Sequence, residues 1–353
     1  MKRIGYIYEK VYALGNIKKA IRKASLGKRN RKDVKKILDN IDYYAKELQA
    51  ILKNESFESS PSVVKTIKDG VSRKEREIHI PKFYPDQCVH WALMFQLEPI
   101  MLKGMYFHSC GSIPGKGGTH AQKYVKRWMQ RDKKNTKYYL KMDISKFYPS
   151  VQGNVMKQAF IRKIKDKKLL VLIFKIIDSM KGLPIGYYTS QWFGNFLLTV
   201  VDNFIKLKCK VKYYVRYVDD MVCFGRNKKE LHKVRKAIEE YLSTLKLKLK
   251  GNWQVVKTKC RALDFIGVRF FYDKIILRKK TALRIRRRIK KIYRKAELNF
   301  KDAAAIISYM GWIKRTNSYN FYCKYMKPYI NLKECKGVIR DESRKRQNTA
   351  CYV

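Results

Sequence analysis

The run Tyr213-Tyr214-Val215-Arg216-Tyr217-Val218-Asp219-Asp220-Met221-Val222-Cys223-Phe224 restricts this chain most. Two apolar segments flank an acidic pair. They read as the strands of a β-hairpin spanning 211–225, with the carboxylates at or near its tip. Aspartate is common in turns, so an ordinary turn is the plain reading. Three observations weigh against that reading alone. The pair lacks the glycine that a tight two-residue turn prefers. Its flanks are almost wholly apolar, which sets the carboxylates beside a buried sheet. A second strand-terminal carboxylate, Asp143, stands upstream: Tyr138, Leu140 and Met142 alternate with Tyr139 and Lys141 at strand period, and Asp143 comes where that strand ends.

Phosphoryl transfer explains such carboxylates. Two magnesium ions about 3.5–4 Å apart activate an attacking hydroxyl and stabilise a leaving pyrophosphate. Magnesium takes oxygen ligands, commonly one or two carboxylates plus substrate phosphates. Charge points the same way. The chain of 353 residues carries 81 Lys and Arg against 29 Asp and Glu, a formal net charge of +52, which excludes an ordinary metabolic enzyme and implies a polyanionic partner, nucleic acid. With 46% hydrophobic and 13% aromatic residues there is material for a real core. The longest apolar run, Leu169 to Phe174, is far short of the roughly 18 residues of a membrane span. No signal-peptide core opens the chain. The eight cysteines form no C-x-x-C pair, which fits reduced thiols and a cytoplasmic protein rather than a zinc site.

Helical periodicity covers the first 55 or so residues as two helices. Short strands around the basic turn Lys68 to Lys74 follow over 63–82. Helices are predicted at 87–104, 121–129, 154–180, 192–207 and 228–246, several strands over 253–278, and a very basic helical region from Thr281. Gly111 to Gly118 reads as a loop. Without regular βαβ alternation, the class is α+β with an antiparallel sheet.

On these residues the chain resembles reverse transcriptases. Tyr217-Val218-Asp219-Asp220 is similar to the family's Y-x-D-D motif. Asp143-Ile144-Ser145-Lys146-Phe147-Tyr148 is similar to the first palm motif. Lys257-Thr258 and Asp264-Phe265-Ile266-Gly267 resemble the lysine motif and primer grip, and Arg76 to Pro81 the fingers motif. Ser109 to Gly117 is similar to the template-side loop of bacterial members. Most members carry Q-G-x-x-x-S-P, where this chain has Ile185-Gly186-Tyr187-Tyr188-Thr189-Ser190-Gln191. That I-G-x-x-x-S-Q form resembles the reverse transcriptases of diversity-generating retroelements, which copy a template-repeat RNA with errors opposite adenine.

The resemblance implies a right-hand polymerase fold. Its parts would be an N-terminal helical extension (1–62), fingers (63–136 and 152–182), a palm (137–151 and 183–278), and a helical thumb with tail (279–353). It implies Asp143, Asp219 and Asp220 as catalytic residues, and Asp143, Ile144, Asp219 and Asp220 as the positions holding two Mg2+ ions. Tyr148 is a steric gate against ribonucleotides or a core tyrosine. Arg76 clamps triphosphate oxygens, with Arg73 and Lys74 as alternatives in the same basic turn. Lys257 acts as a general acid or only neutralises charge. Gly186 lets backbone approach the nascent pair, Gln191 completes the nucleotide side, and Ile185 either relaxes discrimination or simply packs. On the basic helix, Leu283, Ile285, Ile289 and Ile292 form an apolar stripe. Arg284, Arg286, Arg287 and Arg288 lie on the remaining surface as nucleic-acid contacts. Expected partners are template RNA, the RNA/DNA duplex, dNTPs and a small basic helical accessory variability protein. Two alternatives stand beside this: another stand-alone bacterial reverse transcriptase of retron or phage-defence type, and a non-catalytic RNA-binding scaffold.

Overall fold

The structure is a computed structural model that describes residues 3–68, 75–295 and 297–351, with side chains through residue 344. Arg73 and Lys74 lie outside the described residues. The chain divides into two compact units, residues 1–121, 140–224 and 229–255, and residues 122–139, 225–228 and 256–353.

The strands are β1 (Val63–Lys68), β2 (Glu75–Ile80), β3 (Ser109–Cys110), β4 (Tyr138–Asp143), β5 (Tyr213–Tyr217), β6 (Asp220–Gly225), β7 (Gln254–Lys257), β8 (Leu263–Phe265), β9 (Val268–Phe270) and β10 (Ile275–Leu277). β1 and β2 pair antiparallel from Val63 opposite Ile80 to Lys68 opposite Glu75. The main sheet has the order β3-β5-β6-β4-β7, and β8 to β10 make a separate three-stranded sheet. The α+β class holds, with one correction to a purely antiparallel main sheet. β3 runs parallel to β5, Ser109 opposite Arg216. Parallel neighbours need a long crossover, and about a hundred residues of chain separate these two.

In the first unit, β5 and β6 bury the side chains of both faces along their centres. The helix Tyr188–Asn203 buries nearly all of its circumference, including Ser190, Asn195 and Asp202. A polar group in such a place needs a partner, and the partner of Asp202 proves to be Arg216. Four helices, not two, precede β1: Tyr8–Tyr12, Leu14–Ala24, Lys32–Asp39 and Ile41–Lys53. The apolar spacing runs on across their breaks, but the backbone leaves the helical region at Ala13 (ψ 131°) and Asn40 (φ −118°, ψ 39°). The stretch read as one helix over 154–180 breaks likewise. Asp166 caps the second part by accepting from Leu169 N, and it also accepts from the backbone N–H groups of Ile7 and Tyr8 at 2.8 and 2.9 Å.

The second unit packs the helix Lys279–Tyr293 into a core with Ala303, Ile306, Ile313, Met326 and Cys335. Its buried stripe is Thr281, Ile285, Ile289 and Ile292. Leu283, expected on that stripe, is 38% exposed, because two residues along a helix is over half a turn away from Ile285. Trp312 closes over Gly267, where a Cβ would come within 2.6 Å of the indole. Among the described residues no helix is long and apolar enough to cross a membrane.

Candidate active site

Tyr217 pairs with Asp220 across β5 and β6, so Val218 and Asp219 form a two-residue loop. Such loops favour φ > 0 at the first position, usually from Gly or Asn. Here Val218 supplies it, at φ +57°. A β-branched residue there is strained and must be held by its surroundings. Two hydrogen bonds hold it: Val218 N donates to Cys110 O at 2.9 Å, and the Arg216 guanidinium donates to Val218 O at 2.8 Å. Gly111 (φ +90°) permits the approach, since a Cβ there would lie 2.7 Å from a Val218 methyl. The absence of glycine from the acidic loop therefore reflects a braced two-residue turn.

Asp143 ends β4 beside this loop. Its backbone is anchored by Lys250 N donating to Asp143 O and Ser145 N donating to Lys248 O, both 2.8 Å, around a bridge between Ile144 and Leu249. The carboxyl groups of Asp143 and Asp219 lie near enough to influence each other directly. Burial, then the charge of Asp143, push the Asp219 carboxyl up to about 6, against the opposing pull of Arg216. The three aspartates line a cavity of about 300 Å³ with Lys141, Met142, Asn252 and Gln254. Lys141 Nζ lies 3.7 Å from Asp220, and Lys250 Nζ lies 3.6 Å from Asp143.

Does this suit a divalent cation? Among the described residues no three His, Cys, Asp or Glu side chains converge to hold an ion by themselves. A carboxylate pair does meet, with the affinity for a proton that crowded anions acquire. The donors are all oxygen, and magnesium commonly takes only one or two carboxylates, the rest being water and phosphate. The residues thus fit a hard cation that arrives with phosphate.

Lys146 (φ +44°) turns the chain from Asp143 into the short helix Phe147–Ser150, which presents Tyr148. Burial, then the charge of Asp219, raise the Tyr148 hydroxyl to about 12, so the ring sits within the field of the acidic loop. The segment before Ile185 lies against the same backbone. Leu183 N donates to Tyr148 O at 2.8 Å, and at Gly182 (φ +68°) a Cβ would press on that oxygen. The next residues reach β2: His79 N donates to Ile185 O at 2.8 Å, and a Cβ on Gly186 (φ +116°) would stand 2.1 Å from His79 O. Gly186 is therefore required for close backbone approach. Ile185 is half-buried, and Gln191 is exposed on the first turn of its helix. Arg76 is exposed on β2, opposite Ile67. Within one unit, backbone hydrogen bonds thus link Arg76's strand to Ile185-Gly186 and the adjoining segment to Tyr148, whose hydroxyl feels the charge of Asp219.

The remaining expected site residues belong to the second unit. Lys257 is exposed at the end of β7. Arg287 is exposed, Arg284 half-buried, and Arg286 stacks over Tyr325 at 4.8 Å. Arg288 differs from the others: with Lys295 it pairs with the buried Asp302. Sequence reasoning passed over Lys141, Asn252 and Gln254, which line the acidic cavity, and Lys250, which lies beside Asp143. It also passed over Arg216 and Asp202, for which a signal existed: each is the single charge of its element.

A family profile described as "Reverse transcriptase (RNA-dependent DNA polymerase)" matches residues 67–270. The chain is 26% identical over 213 residues to the Retron Ec73 reverse transcriptase of Escherichia coli, covering 55% of this chain and 66% of that protein. It is 24% identical over 144 residues to Protein YkfC of Escherichia coli (strain K12), covering 37% of this chain and 38% of that one. Among solved structures, a truncated apo telomerase from Candida Tropicalis aligns with a TM-score of 0.47 at 12% identity, over 66% of this chain and 59% of that one.

Proposed function

The chain belongs to the reverse transcriptase family, and from that premise we propose that it is an RNA-directed DNA polymerase whose chemistry is carried by Asp143, Asp219 and Asp220. The supporting observation is the meeting of Asp143 and Asp219 at a braced hairpin loop, with Tyr148 in the field of Asp219. The proposed palm is 137–151 with 183–278, the fingers 63–136 with 152–182, the thumb 279–353, and 1–62 an N-terminal extension.

In this reading Asp143 and Asp219, with Ile144 and Asp220 beside them, bind two Mg2+ ions. When bound, the ions supply the Lewis acidity that activates the primer hydroxyl and stabilises the departing pyrophosphate. Tyr148 excludes a 2′-hydroxyl from the sugar pocket. Arg76 clamps triphosphate oxygens, and Lys257 neutralises or protonates the pyrophosphate. Gly186, without a side chain, lets the backbone of its loop lie close to the nascent pair, and Gln191 flanks it. Arg284, Arg286 and Arg287 follow the phosphates of an RNA/DNA duplex, joined by Arg288 only where it leaves Asp302. The test is extension of a DNA primer on an RNA template with dNTPs. Wild-type protein extends with Mg2+ and stops with EDTA, and failure to extend under any divalent cation overturns the reading.

The finer reading is a diversity-generating retroelement enzyme that copies a template-repeat RNA with adenine-directed errors, alongside a small basic helical accessory protein. The I-G-x-x-x-S-Q segment supports it: Ile185 stands where an amide could check geometry. Losing one polar contact worth roughly 1–1.5 kcal/mol relaxes discrimination about tenfold. Ile185→Gln is expected to lower misincorporation opposite adenine about that much, measured by sequencing the cDNA; an unchanged error spectrum makes Ile185 a packing residue. The similarity to the retron enzyme supports the rival reading as another stand-alone bacterial enzyme, for which wild-type cDNA carries no adenine bias.

A further inference from the structure

Beneath the acidic loop lies a buried polar network that no part of the polymerase reading uses. Arg216 and Asp202 are both 0% exposed. Arg216 donates to Asp202 twice, Nε to Oδ1 at 2.8 Å and Nη2 to Oδ2 at 2.7 Å. Nη2 also donates to Ser109 Oγ at 2.9 Å, and Nη1 to Asn195 Oδ1 at 2.9 Å. Asp202 accepts further bonds from Tyr214 OH at 2.7 Å and from Ser109 Oγ at 2.5 Å. Asn195 in turn donates to Gly111 O at 3.1 Å.

A pair needed only to stabilise the sheet could stop there. Arg216 goes further: Nη1 also donates to Val218 O, the carbonyl immediately before Asp219. Val218 is the strained residue of the loop, and its N–H is held from the other side by Cys110 O. The planar guanidinium cannot turn, because Asp202 grips it bidentately. The left-handed Val218, unfavourable by itself, is thus clamped at both its N–H and its carbonyl by groups with no freedom to move.

We infer that Arg216 is a positioning residue for the polymerase reaction: locked by Asp202, Ser109 and Asn195, it fixes the Val218-Asp219 loop so that Asp219 meets Asp143. It touches neither substrate nor metal and acts through the backbone of Val218. This inference rests on the proposed polymerase function. Lysine keeps the charge but cannot serve Asp202 twice and Val218 O at once. Arg216→Lys is therefore expected to leave the loop under-restrained while sparing most of the fold.

The experiment measures binding of Mn2+ alone by electron paramagnetic resonance, together with kcat and KM for dNTP, on the full chain below its unfolding transition. Loss of a group that orients metal ligands costs about 10–100-fold in metal affinity or activity. Arg216→Lys is expected to weaken Mn2+ binding and to lower kcat, each by at least about tenfold, while KM for dNTP moves less than about threefold. Ile173→Ala, a cavity in the fully buried core of the helix Lys167–Asp178, provides destabilisation without loss of the clamp. It should lower the melting temperature and leave Mn2+ affinity unchanged. If Arg216→Lys does not fold, Asn195→Ala withdraws one acceptor from the same Nη1 and is expected to weaken Mn2+ binding about threefold. Unchanged Mn2+ affinity and kcat in a folded Arg216→Lys, or in Asn195→Ala if that is the variant measured, would overturn the inference. So would Ile173→Ala weakening Mn2+ binding as much as the clamp variant. Wild-type protein that neither binds Mn2+ nor extends a primer refutes the polymerase reading instead.

Discussion

Asp219, in the first unit, and Asp302, in the second, face the same physical problem and answer it oppositely. Burial raises a carboxyl's proton affinity in both places. At Asp302, 1% exposed, the cations of Lys295 and Arg288 outweigh burial and hold the carboxyl below its ordinary value. At Asp219 the next influence after burial is a second anion, Asp143, and the carboxyl rises to about 6. Asp302 also sits in the first turn of its helix, where its N–H donates at 3.0 Å to Oδ1 of Asn299, the helix cap. One carboxylate has its counter-charges built into the chain. The other is fixed in place with too few, which is the condition of a site whose cations come from outside.

The comparison breaks most sharply on stability. Asp302→Asn leaves two cations facing a neutral amide. Both are about one-third exposed and can rehydrate, so the loss is expected near 2 kcal/mol rather than the larger cost of a wholly buried pair. Asp219→Asn removes an anion from beside another anion and should leave stability unchanged or raised. Urea unfolding of the two variants measures this, and equal losses would erase the distinction between the sites.

A smaller effect lies in pH dependence without divalent cation. The folded carboxyl of Asp302 lies below its unfolded value, so its contribution is complete above about pH 4 and disappears as pH falls through the folded value. Asp219 has the reverse sign. Its folded value of about 6 exceeds the ordinary 3.8, so the folded chain binds the extra proton between the two. Stability then declines as pH rises through that window and stays lower above it. In EDTA, melting temperature followed across pH 3 to 8 should lose the acid-side fall in Asp302→Asn and the decline toward pH 6 in Asp219→Asn. A wild-type curve that Asp219→Asn leaves unaltered counts against the crowding of Asp143 and Asp219.

Much of this site is written in local patterns. Alternation set Asp143 at a strand end, and two apolar flanks set Asp219 and Asp220 at a hairpin, because strand period is a property of adjacent residues. Asn40 and Asp166 were harder to read: apolar spacing continues across both helix breaks, although Asp166 has the residue type and position of a cap. Arg216 is the one charge of its strand and Asp202 the one charge of its helix, each conspicuous by itself. Nothing local says that they meet, or that the guanidinium reaches Val218. Arg288 likewise looks identical to its neighbours until Asp302, fourteen residues on, claims it. Such pairings depend on which elements pack together, and periodicity does not carry that.

The most direct measurement is extension of a DNA primer on an RNA template by Asp219→Ala combined with Asp220→Ala, with RNA binding followed in parallel. The +52 charge that attracts the nucleic acid only increases in this variant. RNA affinity is therefore expected to stay nearly intact while extension falls at least about a thousandfold. A double variant that binds RNA and still extends the primer would contradict the assignment of catalysis to this hairpin.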